Sequence, residues 1–545
     1  MSTDTAAEGP SPPAPPPAPP RRRIALNTAI FALATAFSRV AGLIREVVAA
    51  GYFGTSKYGS AFTVASQIPN LMANLFAQAA LSAAFVPVFS DLLQQGQRRK
   101  AFALASTLFW IILIGLGALT AVGILASGLI LPLFTGANFD GGVAATLTQI
   151  MFPVVLVLGL TGLLVGILQT YDEFTVAALA PVAWNLVILV LLVVLHSHFG
   201  HDGINAYAIA WLVATVVQGL LVGSALRRID FRLGWKLDWR DPLVRRVFAL
   251  MLPVTLGLGI VNLDALINSS FGALVNTHPA GAGPRAIQLA FLIYMLPQGV
   301  FSVAVSTVLF PTLSRQAARR APAEMRTTLG VGMRQITLLL VPAAAGMIAL
   351  ATPIVRLVFQ HGQFGPASTH YTSIALFWFA WSLPFAGLNL LLTRTFFALQ
   401  RPWIPTKLAA INMAVDIVLS IGLYKPLGIA GLVIGTAVAN VVMTGLQIRR
   451  LRTGFNGRLD LDQTVMIAVR ILLAAAITGV IAWVVHRLAD SVLGHGSVPG
   501  QVVAVGLAVA VAGAFYARAV TVMRIPEARQ IQDLVLARLG RAQPR

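Results

Sequence analysis

A chain of 545 residues that is 57% hydrophobic and only 11% charged cannot cover a soluble globule, whose surface needs far more charge, so a water-soluble enzyme or binding domain is excluded. The net charge of +20 would suit a nucleic-acid binder, yet the Lys and Arg fall in alternate gaps between apolar stretches, as membrane topology demands, so nucleic acid is not among the expected partners. With no cysteine, disulfides, thiolate metal sites and thiol catalysis are excluded too.

The chain opens on a Pro-rich segment, 10–20, that reads as extended and disordered within a cytoplasmic tail, 1–23. Arg21–Arg23, the apolar stretch after them and Ala34-Thr35-Ala36 imitate a cleavable signal peptide. Asn27 and Thr28 interrupt that stretch, and the charged motif that follows fits a retained first helix better. From there, runs of about 20 apolar residues, each long enough to cross a bilayer, recur to residue 520. They predict fourteen helices over 24–48, 61–89, 102–131, 146–168, 176–197, 204–226, 247–272, 285–313, 331–355, 371–398, 405–422, 427–448, 464–486 and 500–520. Pro69, Pro181, Pro253, Pro297 and Pro342 fall inside these spans, where they free backbone groups and permit bending.

Basic runs at Arg21–Arg23, Arg98–Lys100, Arg227 to Arg246, Arg315 to Arg326 and Arg449 to Arg458 assign those gaps and both termini to the cytoplasm. The opposite gaps carry only Lys57, Arg285, Arg356, Lys425 and Arg487. His196, His198 and His201 share one of them; three imidazoles could take a metal, or simply belong to a short solvated loop.

Internal repeats appear. FVPVFS (85–90) returns as LFPTLS (309–314), FTGANF (134–139) as FQHGQF (359–364) and GILQTYDEF (166–174) as FALQRPWIP (397–405), at offsets of 224, 225 and 231 residues. The simplest arrangement is a first six-helix lobe at 24–226, a cytoplasmic basic linker at 227–246, a second six-helix lobe at 247–449, two further helices within 450–522 and a basic cytoplasmic tail at 523–545. Even helix numbers make the lobes parallel repeats, as alternating-access transporters use. The linker, with Trp235, Trp239 and the Asp241-Pro242 break, suits an amphipathic stretch at headgroup level.

Charges at bilayer depth are costly and so mark function. They are Arg39, Arg45, Glu46, Asp264, Arg394, Asp416 and Arg470. Arg39 and Arg45 suit an anionic substrate, because guanidinium stays charged and forks onto phosphate oxygens. Six residues at 100° set them about 120° apart, so they converge only if the helix bends at Gly42; otherwise Arg45 pairs with Glu46 or reaches to the interface. Asn412 and Asp416 share one helix face and, with Asp264 and Thr436, offer hard oxygens to a sodium ion. The alternative is that Asp416 only accepts hydrogen bonds. The matching residue of the first repeat is Asn185, which is neutral. No residue is read as catalytic, and the outer gaps are too short and acid-poor for a membrane-embedded transferase.

FSRVAGLIREVVAAGYFG (37–54) followed by IPNLMANLFAQAALSAAFVPVF (68–89) resembles the opening of the MurJ (MviN) family within the multidrug/oligosaccharidyl-lipid/polysaccharide exporter superfamily. The likeness continues through 162–186, VFQHGQF (358–364) and 396–421, and so spans both lobes. The resemblance implies an all-α polytopic inner-membrane protein of about fourteen transmembrane helices, two six-helix lobes around a cationic cavity, and outward movement of lipid II or a similar polyprenyl-pyrophosphate-linked glycan. It further implies substrate contact by Ser38, Arg39 and Arg45, sodium at Asp264, Asn412, Asp416 and Thr436 as the only cofactor, and cell-wall synthesis proteins as partners. Ser60, Ala73, Asn74, Leu292 and Met295 stand where relatives often carry charge. Export of another lipid-linked glycan or of a drug by the same fold, and a scaffold that transports nothing, are the rival readings; a drug exporter should show cavity acids instead of the arginines of the first helix.

Overall fold

The computed structural model describes residues 21–528 apart from 77–78, 135–140, 172, 174, 200–202, 230, 236, 278–279, 456–460 and 495. The described residues form helices and connecting turns with no strand, as a hydrocarbon environment requires of a chain that must satisfy its own backbone. In chain order the helices are α1 (Arg21–Phe53), α2 (Lys57–Phe76), α3 (Ala79–Gln94), α4 (Arg98–Phe134), α5 (Gly141–Met151), α6 (Pro153–Thr170), α7 (Thr175–Phe199), α8 (Gly203–Ala225), α9 (Pro242–Leu274), α10 (Gly283–Pro297), α11 (Val303–Ala318), α12 (Pro322–Ala349), α13 (Ala351–Phe359), α14 (Pro366–Ala398), α15 (Trp403–Leu427), α16 (Ile429–Gly454), α17 (Leu461–Leu493) and α18 (Val498–Val522).

All fourteen predicted stretches fall on these helices. Among the described residues, eleven helical spans are long and apolar enough to cross a membrane; the other three stretches coincide with α1, with α2 and α3 together, and with α9. Three stretches read as single helices are divided: the fourth breaks at Phe152 into α5 and α6, the eighth is interrupted by a π turn at Gln298–Ser302, and the ninth breaks at Leu350 into α12 and α13. Pro297 cannot donate its i−4 hydrogen bond, and the turn follows it directly.

Buried side chains gather into two large clusters. One is built on α1 to α8 with Val244, Val247, Met251, Leu266 and Ala273 of α9. The other is built on α10 to α16 and takes in Ala50 from α1. Helix α9 therefore lies between them, against α2 and α3 on one side and α10 and α15 on the other. Helices α17 and α18 pair with each other and lean on α12 through a smaller cluster that includes Ile525 and Ala528. There Arg334 of α12 forms a buried ion pair with Glu527, and also reaches Thr464 of α17 at 3.5 Å. The first residues of the basic C-terminal tail are thus docked, because Glu527 has a buried partner.

After a 3-10 turn at Leu226–Ile229 the described residues of the linker are not helical as far as Asp241, whose carboxylate caps α9 by accepting from the Leu243 N–H at 2.8 Å. Trp235 stacks on Trp110 at 4.3 Å while remaining largely exposed. His196 packs on the ring of Tyr52 at 4.0 Å; His198 and His201, like the Pro-rich tail and residues 529–545, lie outside the described residues and side chains.

Close packing sets one local demand. A Cβ at Gly387 of α14 would meet Leu340 and Ile336 of α12 and Ser302 of the π turn. Gly387→Val is therefore expected to cost about 1–3 kcal/mol through overpacking, read as a lower thermal unfolding midpoint of the purified protein.

Candidate functional site

Two polar constellations lie on matching helices of the two halves. In the first half, α1 faces α7. Asn185 of α7 donates through Nδ2 to the Ser38 hydroxyl at 3.3 Å, and accepts from Arg45 at 3.0 Å. A Cβ at Gly42 would touch the same Asn185 side chain. In the second half, α9 faces α15. Asn268 of α9 donates to Asp416 of α15 at 2.8 Å, and the Asp264 carboxyl meets that of Asp416. Ser38 and Asp264, and Gly42 and Asn268, are each separated by 226 residues, while Asn185 and Asp416 are 231 apart. The same helix pair thus carries a cation contact in one half and a carboxylate pair in the other.

The cation side is a chain of buried groups that crosses between the halves. Arg45 donates to Glu46 at 2.7 Å, and the other Glu46 oxygen pairs with Arg285 of α10 at 2.9 Å. Arg285 donates to Gln288 at 2.8 Å, and that same amide oxygen accepts from Thr63 of α2 at 2.8 Å. Tyr207 of α8 donates to Glu46 at 3.4 Å. Arg45, Glu46 and Arg285 are 9%, 6% and 1% exposed, so one carboxylate serves two guanidinium groups away from water. The Trp184 and Trp211 rings take part of the excess, lying 4.8 and 5.4 Å from the Arg45 guanidinium.

Two sequence readings bear on this network. Arg285, the outer-gap charge with which the eighth stretch begins, lies in the first turn of α10 and is among the most buried large side chains, where Gly283 lets this turn close onto the backbone of Gly272. Arg45 pairs with Glu46, the alternative named for an unbent first helix. Its two terminal nitrogens are taken by Asn185 and Glu46, whereas Arg39 is exposed and lies against Gly299 of the π turn, from the other half. A continuous α1 keeps the two arginines on different faces.

Beside this network the two halves meet end to end. The Gln363 N–H donates to the Gly51 carbonyl at 2.7 Å, and the Thr55 and Ser368 hydroxyls are 2.8 Å apart. Gly362, at φ 57°, lies so close to Gly51 that a side chain would collide with its carbonyl. The contacts that join α1 and α2 to α10, α13 and α14 thus close the bundle at the end opposite the basic linker.

The carboxylate side gathers oxygens. Asp416 is 2% exposed and accepts from Thr436 at 3.3 Å and Ser420 at 3.5 Å. One oxygen of Asp264 and the amide nitrogen of Asn412 are buried with no hydrogen-bond partner. Asp264, Asp416 and Thr436 are therefore brought together. Asn268 and Ser420 join them, although the sequence reading did not select either; both sit four residues from an aspartate, on its helix face. Two carboxyl groups this close at bilayer depth repel each other when both are ionised, and a cation or a shared proton between them relieves that repulsion. Of the positions where relatives often carry charge, Ser60 and Ala73 are buried and Met295 is 48% exposed.

A sequence model of the family described as lipid II flippase MurJ matches residues 49–503. The chain is similar to the lipid II flippase MurJ of Burkholderia cenocepacia, 32% identical over 416 residues that cover 74% of this chain and 79% of that protein. It is also similar to the probable lipid II flippase MurJ of Rhizobium meliloti, 31% identical over 75% of this chain and 77% of that one. Its fold is similar to a solved lipid II flippase MurJ in an inward closed conformation, with TM-score 0.75, 22% identity and coverage of 91% and 100%. An inward-facing MATE family multidrug transporter of the MOP superfamily also matches, with TM-score 0.63, 14% identity and coverage of 77% and 94%.

Proposed function

The chain belongs to the MurJ family of lipid II flippases, and we propose that it carries lipid II from the cytoplasmic to the outer leaflet by alternating access of its two halves. It is a multi-pass protein of the bacterial inner membrane. The basic linker and both termini lie in the cytoplasm on this reading, since the excess of Lys and Arg in the connections on that side sets orientation. The Gly51–Gln363 and Glu46–Arg285 contacts then form the outer gate, and the conformation described here is the one that receives the headgroup from inside. Arg39 meets the pyrophosphate, while the polyprenyl chain remains in lipid. No covalent step is required.

The observation that carries this reading is the Arg45–Glu46–Arg285 network, a buried ionic lock between halves towards one end of a cationic first helix. The test is growth rescue and outward lipid II exposure in cells depleted of their own flippase. Rescue supports the assignment; failure by a well-inserted chain moves the substrate to another polyprenyl-linked glycan.

The oxygens of Asp264, Asp416, Thr436 and Ser420, with Asn412 one helical turn from Asp416, would suit a sodium ion, because Asp264 presents a buried oxygen without a partner beside a second carboxylate. One sodium ion would offset one of the two negative charges, and so reduce the repulsion that otherwise pushes α9 from α15. Asp416→Asn, which removes one of the two charges, is expected to abolish sodium stimulation of lipid II exposure while leaving a basal rate within about tenfold. A variant still stimulated by sodium would locate the ion elsewhere.

A further inference from the structure

A second amphipathic feature lies on the outside of the second half, remote from Arg39 and the carboxylate pair. At the end of the bundle that carries Gln363, a cavity of about 580 Å³ opens between α13, α14 and α17, lined by Arg356, His370, His486, Arg487 and Asp490. Adjoining it, a cavity of about 550 Å³ runs between α12, α14 and α17, lined by Val341, Trp381, Leu472 and Ala476. Ile348, Ala349 and Trp483 line both, so the two form one groove with a polar end and a hydrocarbon end. Two arginines face one carboxylate at the polar end, which leaves it cationic. The Arg487 guanidinium lies 5.7 Å from the Trp483 ring, and Trp483 is half exposed at the boundary between the two parts, where indole rings meet the headgroup layer.

The length of the groove points to its occupant. Leu472 and Arg487 are fifteen residues apart on α17, about 22 Å of helix. That is close to half of the roughly 40–45 Å thickness of a bilayer with its headgroups. A molecule with an anionic head and a hydrocarbon tail one leaflet deep fits both ends at once, whereas a free anion would leave the hydrocarbon part unused. We infer that this groove binds an anionic phospholipid of the adjacent leaflet, with its phosphate between Arg356 and Arg487 and an acyl chain along Trp381, Leu472 and Ala476.

The test uses the delipidated full chain and two probes, phosphatidylglycerol and phosphatidylcholine of the same chain length, with bound lipid counted by native mass spectrometry. Phosphatidylglycerol should bind the wild type more tightly. Arg356→Gln with Arg487→Gln should weaken it roughly tenfold or more, and Ala476→Trp, at an exposed position in the tail part, should weaken both lipids. Equal binding of the two lipids, unchanged phosphatidylglycerol binding in the arginine variant, or its full displacement by millimolar inorganic phosphate would each overturn the assignment.

Discussion

Glu46→Gln is expected to open the outer gate. The substitution preserves shape and removes the carboxylate that Arg45 and Arg285 share, leaving two buried guanidinium groups without that anion. Breaking one partner out of a buried ionic network costs about 3–5 kcal/mol, and the cost falls on the closed state alone if opening returns both cations to water. The closed-to-open ratio should therefore move by roughly two to four powers of ten. The chain contains no cysteine, so a single Ala50→Cys, fully buried where α1 enters the core of the second half, reports the change without background. A membrane-impermeant maleimide should label it slowly in the otherwise natural chain and rapidly beside Glu46→Gln. Arg285→Gln should do much less, because it leaves Arg45 and Glu46 as a neutral pair. Slow labelling in the Glu46 variant, or equal labelling in both, would remove the network from the gate.

How this network escaped the sequence is instructive about what a linear reading holds. Glu46 and Arg45 are adjacent, so their pairing is visible as a local option, but Arg285 follows His278-Pro279-Ala280-Gly281-Ala282-Gly283-Pro284, a string of turn formers that sets it at the edge of an outer gap. Only the close approach of Gly283 to Gly272 turns that stretch inward, and such an approach is a property of two chain segments, not of either alone. The fourteen apolar stretches were legible because hydrocarbon thickness fixes their length, and the parallel repeat was legible from three landmarks at nearly constant offset. The oxygens around Asp416 were half legible: spacing on α15 gives Asn412, and an aspartate at depth on α9 stands out, but Asn268 is neutral and unremarkable until α9 is laid against α15. The divergence of Arg39 and Arg45 follows from helical periodicity, and the bend at Gly42 that would have cancelled it is absent from a continuous α1.

Arg39→Ala is expected to reduce outward lipid II exposure by about 10- to 100-fold at matched expression. On α1 its guanidinium is exposed while Arg45 is held by protein, so an incoming pyrophosphate meets Arg39 first. Hydrogen bonds to charged groups contribute about 1.5–3 kcal/mol, and a forked guanidinium offers two to one phosphate. Arg39→Lys should recover only part of the activity, since an ammonium keeps the charge and loses the fork. Gly299 supplies an independent route to the same result. A Cβ at 299 would meet the Arg39 guanidinium, so Gly299→Leu should displace it and lower exposure in the same direction while Arg39 itself remains. If substrate capture depends on where Arg39 is held, Gly299→Leu combined with Arg39→Ala should be no worse than Arg39→Ala alone. Full rescue by Arg39→Ala would show that another group carries the pyrophosphate, and additive losses in the double variant would assign Gly299 to the bending of the π turn instead.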